Sequence, residues 1–327
     1  MTAPERSDAP WIRAALLAGK PYRFRTKRAL FHNALNLTAL AGVLAAFGTV
    51  LALGRGARPW PYLPLATLAF GWCYFALFVL VVHEASHGMF VLARDRRTRE
   101  RYNRIFGWLA CLPFAIHYAR HWEEGHVIHH RIPIEEDDPQ RFNRLTGARL
   151  ARDIALLVFV PGYAFVHRFM TPRARARKQS SAWLFVVFFA LWTCVVFLAW
   201  RCISPSAGVA LVLGLQILAA YNQLKGALEH GGPIAFERSA YLRSRTSLFF
   251  GRRWLLPFNQ SLHFEHHLNF TVPWYDLPRY RRALLSIVPR ELHDEVWNRD
   301  IWGQLAGDKG ALPDHLRRLA YRRDASP

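Results

Sequence analysis

Acidic residues are few in this chain: 23 Asp and Glu stand against 43 Lys and Arg in 327 residues, a formal net charge of +20. Cysteine is scarcer. Cys73, Cys111, Cys194 and Cys202 lie far apart in apolar sequence with no CxxC spacing. That excludes a disulfide scaffold or a cysteine-ligated metal module and leaves them as packing residues. Charge of either sign is missing altogether from four long stretches, 29–54, 59–82, 182–200 and 202–224. Each is about as long as the roughly 20 apolar residues that cross a bilayer as a helix. The first opens on His32, Asn33 and Asn36, so its span is expected to begin near Leu37. The expected spans are therefore about 37–54, 60–82, 182–200 and 204–224.

What surrounds those stretches fits a membrane. Trp60, Tyr62, Trp183, Trp200 and Tyr221 lie near span ends, where amphipathic rings favour the interface. Of the 43 Lys and Arg, 40 fall before the first span, between the second and third, or after the fourth. This positive-inside distribution predicts a multi-pass protein with both termini and the long central segment in the cytoplasm. Orientation and attraction to anionic lipid headgroups account for the basic excess, and no nucleic-acid recognition motif is present. The N-terminus does not read as a cleavable signal peptide, because "YRFRTKR" precedes the first apolar run and no small-residue cleavage site follows. One further apolar run, 154–166, is only 13 residues long between Arg152 and Arg168. A run of that length is expected in or near the cytoplasmic interface, not across the bilayer.

The histidines are grouped. Nine of the 15 fall in "HEASH" (His83, His87), "HVIHH" (His126, His129, His130), "EHGG" (His230) and "HFEHH" (His263, His266, His267). Spacings of three and four place side chains on one face of a helix, so each group can present its imidazoles together. His83 follows the second span by one residue, and His230 follows the fourth by six. Two intervening spans bring both out on the same side, with the other seven. His32, His117, His121, His167, His293 and His315 are left as surface or satisfied core residues.

"HEASH" alone is HExxH, a zinc metalloprotease signature with Glu84 as general base. An intramembrane protease of that type needs a third ligand, usually an aspartate on a later membrane helix. No span contains aspartate, and seven grouped histidines stay unexplained. That reading remains a remote alternative, as does a metal transporter, whose ligands belong near the bilayer midplane. A catalytic zinc takes about three protein ligands; nine imidazoles suit two metals. Imidazole alone does not choose between iron, zinc, copper and nickel. Glu84 reads best as a carboxylate that orients a ligand histidine, with Glu229, Glu265, Asp137 and Asp138 as candidates for the same role.

In this order around paired spans, HxxxH, HxxHH and HxxHH resemble the histidine boxes of the membrane fatty acid desaturase and hydroxylase superfamily. "LHFEHHLNFTVPWYDLP" is the most specific part; "HVIHHRIPIEEDDP" resembles the second box, and "ALEHGG" the extra histidine before the third. The resemblance covers about residues 60–282. It implies an all-α integral membrane protein with four transmembrane helices and a cytoplasmic helical cap holding a dimetal site. It carries the ligand role onto His83, His87, His126, His129, His130, His230, His263, His266 and His267, with Glu84 and Glu229 supporting. Some acyl-CoA desaturases have asparagine where this chain has Gly226; the resemblance to those enzymes stops at that position.

The implied chemistry is O2-dependent oxidation at two ferrous ions. The expected reaction is desaturation of a fatty acyl or other lipid chain, with hydroxylation or ketolation, or desaturation of a small non-lipid metabolite, as the alternative. The electrons must come from outside, because the chain has no GxGxxG loop, cysteine-rich iron–sulfur motif or HPGG. The expected partner is a ferredoxin or a cytochrome b5-like donor. The organisation that follows is a basic cytoplasmic segment 1–28, a membrane domain 29–282 and a cytoplasmic C-terminal segment 283–327.

Overall fold

The computed structural model describes residues 10–135, 137–139, 145–164, 182–237 and 239–307. Among the described residues, four helices are long and apolar enough to cross a membrane: Ala29–Leu53, Pro59–Ser86, Ala182–Cys202 and Pro205–His230. The first begins eight residues before Leu37. Its polar opening turns are satisfied by the cap: His32 Nδ1 lies 2.7 Å from Tyr275 Oη, and Asn36 Nδ2 donates to Phe90 O at 2.9 Å. Asn33 exchanges two hydrogen bonds with the backbone of Leu92. Buried polar groups at a helix start are tolerated when paired this way.

The second and fourth helices form the centre of the bundle. Gly71 and Gly214 face each other; a Cβ on Gly214 would lie 2.9 Å from Phe70 Cβ and 3.2 Å from Gly71 N. Small residues let backbones approach, which drives helix association where lipid removes the hydrophobic term. Tyr74 Oη–H donates to Leu211 O at 3.2 Å across the same interface. The fourth helix starts at a capped turn: Ser204 Oγ accepts from Ala207 N, and Pro205 occupies the first helical position. The first and third helices are peripheral, with Leu44, Leu53, Val186, Phe189 and Phe197 turned outward. Outward apolar side chains along a helix of this length suit lipid.

Shorter helices make a cap over one end of the bundle. The helix Gly147–Phe159 departs from the cap: it carries residues 154–159 of the run 154–166 along the fourth span to Gln216, 14 residues before His230, and does not stay at the end of that span as expected. Gln216 Nε2 donates to Leu157 O at 2.9 Å, and Gly162 N donates to Gln216 Oε1. Residues 165 and 166 lie outside the described residues. A separate hydrophobic core joins the helix Pro10–Ala18 to the segment 262–297, through Ile12, Ala15, Phe264, Tyr280, Leu284 and Trp297. One parallel pairing of Thr246–Ser247 with Trp297–Asn298 crosses this cap, so the fold is mostly helical and not wholly so.

Candidate metal centre

The second span is α-helical to Leu77, widens into a π-helical turn over Phe78–Val82 and closes on His83–Ser86. A second π-helical turn, Ala119–Glu124, leads into the helix Gly125–Arg131. Such a turn takes in an extra residue and rotates whatever follows it. His83 and His87 follow the first; His126, His129 and His130 follow the second. His230 ends the fourth span. His263, His266 and His267 stand on the short helix His263–Leu268. Phe258 and Asn259, both at φ 56°, turn the chain into that helix, and Asn259 Nδ2 donates to Trp274 O at 3.0 Å.

All nine histidines meet. They divide into two sets, His83, His87, His126, His130 and His266 in one, and His129, His230, His263 and His267 in the other. Within each set one ligand nitrogen per ring lies within 4.8 Å of all the others. His83 Nε2 and His266 Nε2 are 2.9 Å apart, and His230 Nε2 and His263 Nε2 are 2.8 Å apart. Metal–imidazole bonds of about 2.0–2.1 Å would put neighbouring ligands about 3 Å apart. The sets adjoin, since the His130 and His267 ring centroids are 4.4 Å apart.

These residues fit metal ions. His87, His130 and His267 bury both ring nitrogens without a hydrogen-bond partner among the described residues. Each orphaned polar group would cost about 1–3 kcal/mol if nothing bound it. Burial, then neighbouring histidines, holds His130, His263, His266 and His267 well below the usual imidazole range. Burial pushes His87 down to about 3. The rings are therefore neutral, the form that ligates.

The opposite ring nitrogens face the protein. Asp138 Oδ2 lies 2.9 Å from His129 Nδ1 and accepts from Ile134 N at 2.6 Å, fastening a residue held at φ 67°. Glu84 Oε1 is 3.3 Å from His83 Nδ1, Glu229 Oε1 is 3.2 Å from His263 Nδ1, and His230 Nδ1 meets Arg243 O at 2.7 Å. The Glu84, Asp138 and Arg243 hydrogen bonds fix a ligand ring's tautomer and orientation, whereas Glu229 and His263 are close without the alignment of a hydrogen bond.

Glu265 does not share this role. It points away from the imidazole face of its helix and accepts from the Thr246 hydroxyl and, at 2.6 Å, from Trp297 Nε1. Asp137 is exposed. Lys225, not singled out in the sequence, places Nζ 2.5 Å from Glu229 Oε2. Its spacing of four from Glu229 on the last turns of an apolar helix was the available signal. Glu84 has no room to act as in HExxH, because His83 and His87 are joined by three more imidazoles.

A family model described as "Fatty acid desaturase" matches residues 58–297. The sphingolipid delta(4)-desaturase of Rattus norvegicus is 26% identical over 255 residues, covering 76% of this chain and 74% of that protein. The sphingolipid delta(4)-desaturase/C4-monooxygenase of Homo sapiens is 26% identical over 256 residues, 74% of this chain and 72% of its own. In Drosophila melanogaster a sphingolipid delta(4)-desaturase is 24% identical over 319 residues, spanning 93% and 91% of the two chains.

Proposed function

The chain belongs to the fatty acid desaturase family, and from that premise we propose that it is an O2-dependent lipid desaturase with two irons held by nine histidines. The observation that carries this reading is the division of nine buried or half-buried imidazoles into adjoining sets of five and four. When bound, two ferrous ions supply the activation of O2 that removes hydrogen from an unactivated C–H bond.

The chain's own residues hold and orient. His83, His87, His126, His130 and His266 take one metal; His129, His230, His263 and His267 take the other. Glu84, Asp138 and the Arg243 carbonyl keep three of those rings in place from behind, and the Glu229 carboxylate lies 3.2 Å from a fourth, His263. Phe270 stacks on His87 with centroids 5.2 Å apart and lies 5.0 Å from His130. Trp122 lies 5.1 Å from His126. These rings keep water from the first set, as oxidative chemistry requires.

The metal centre and both termini are read as cytoplasmic, because 40 of the 43 Lys and Arg lie on that side of the expected spans. Electrons come from a separate ferredoxin or cytochrome b5-like donor. The relatives' names make a sphingoid chain the first substrate to test. One such name joins desaturation to C4-monooxygenation, which favours hydroxylation as the second reading. The test is mass spectrometry of lipids from a host of defined lipid content expressing the chain. A new double bond or hydroxyl, lost in His266→Ala, is expected; unchanged lipids with an iron-loaded, donor-supplied protein would sink the lipid assignment.

A further inference from the structure

Residues 248–258 leave the cap and run beside the first two spans. Leu248 N donates to Asn298 O at 2.8 Å within the cap. Ten residues on, Phe258 packs against Val43, Cys73 and Ala76 of the spans. Between them Gly251, at φ 79°, turns the chain, and Arg252–Leu255 makes one helical turn. At this turn Phe250 is 104% exposed and Trp254 78% exposed. Arg253 beside them is exposed as well.

The neighbours of this turn identify what covers it. Trp72 Nε1–H donates to Trp254 O at 2.6 Å. Trp72 stands four and seven residues after Leu68 and Leu65, on one stripe of the second span. Leu65 and Leu68 are 67% and 53% exposed, and outward residues of a spanning helix face lipid. Phe250 and Trp254 therefore continue the lipid-facing surface of the second span. Aromatic rings next to arginine are the composition of the headgroup level.

We propose that residues 249–255 are a membrane anchor of the cap, with Phe250 and Trp254 inserted into the lipid leaflet. This rests on the reading of the four helices as membrane spans. Trp72 is 13 residues past Pro59, about 20 Å along the helix and inside the second span, and His83 lies 11 residues further along, about 16 Å at 1.5 Å per residue. The intervening residues 75–82 are buried in protein apart from half-buried Leu77. The anchor thus grips the leaflet about that far along the second span from the histidines and ties the cap to the membrane.

The test places nitroxides singly at Phe250→Cys, Trp254→Cys, Val186→Cys and Arg97→Cys, in a full chain with Cys194 and Cys202 replaced by alanine. The protein is held in nanodiscs of phosphatidylcholine and phosphatidylserine. Collision with O2 and with a water-soluble nickel chelate is read by power-saturation spectroscopy. O2 collisions should exceed chelate collisions at 186, 250 and 254, and the order should reverse at 97. If 186 reads as lipid while 250 and 254 meet the chelate as freely as 97, the anchor is wrong and the spans stand. Labels at 250 and 254 shielded from both reagents would mean that protein covers the turn, which also overturns the proposal. Chelate access at 186 would sink the membrane reading and the anchor with it.

Discussion

Sequence neighbours fall into different halves of this site. His129 and His130 fall in different sets, as do His266 and His267. Successive side chains on a helix diverge by about 100°, so an adjacent pair can face two centres at once. Spacing reveals that the rings gather, because it is local. The five-and-four division depends on how separate helices meet, and no spacing carries that. Asp138 was readable only as one of two neighbouring acids; burial against His129 distinguishes it from exposed Asp137. Lys225 gives a residue-scale prediction. It holds Glu229 by one oxygen while the other faces His263. Supporting contacts of this kind are worth about 10- to 100-fold in metal affinity. Lys225→Met should weaken metal retention in the four-histidine set by about 10-fold, and Lys225→Arg should restore it, as followed by timed chelator extraction. Single-phase extraction at the wild-type rate in Lys225→Met would show that the lysine does nothing for the metal.

At the level of elements, four spans were legible because the absence of charge over a bilayer's length is a property of each segment by itself. The π-helical turns were not legible. Phe78–Val82 reads as plain apolar sequence, and its widening is imposed by what the helix must present beyond it. The same holds for the far end of the chain. Trp297 reaches Glu265, and Gln304 donates to the carbonyl oxygens of Ala227 and Leu228, just before His230. These contacts join residues about 30 to 80 positions apart, beyond the reach of periodicity. A deletion tests the turn. Removing Leu80 should return the second span to α-helix and rotate His83 and His87 by about 100° relative to Pro59. The variant is expected to stay in the membrane and lose metal from the five-histidine set. Full metal content in purified ΔLeu80 protein would contradict the role given to this turn.

For the whole molecule, the bundle and the cap divide the work. The second and fourth spans carry His83 and His230 into the cap, and the cap closes over them with the other seven rings. Pro10–Ala18 packs on this cap through Tyr280, whose hydroxyl donates to Ala15 O at 2.8 Å. The surface around it is basic: Arg94, Arg96, Arg97 and Arg101 are exposed on and next to the helix Arg96–Cys111. An acidic electron donor would be drawn to such a face, with a rate that falls as salt rises. Charge reversal at Arg96, Arg97 and Arg101 should raise the donor KM more than the substrate KM. Salt-insensitive donor kinetics, with an unchanged donor KM in the triple variant, would leave those arginines to topology and lipid headgroups alone.

The central claim is that nine histidines hold two irons, and metal counting on active protein tests it most directly. Chain purified without oxygen from an iron-replete host should contain about two irons per polypeptide and turn over substrate when given electrons. His130→Ala and His267→Ala, one from each set, should each lose metal, while His293→Ala, outside both sets, should keep it. Zinc in inactive overexpressed protein carries no weight, because zinc outcompetes ferrous iron at nitrogen sites. One zinc per chain in fully active protein would contradict the account.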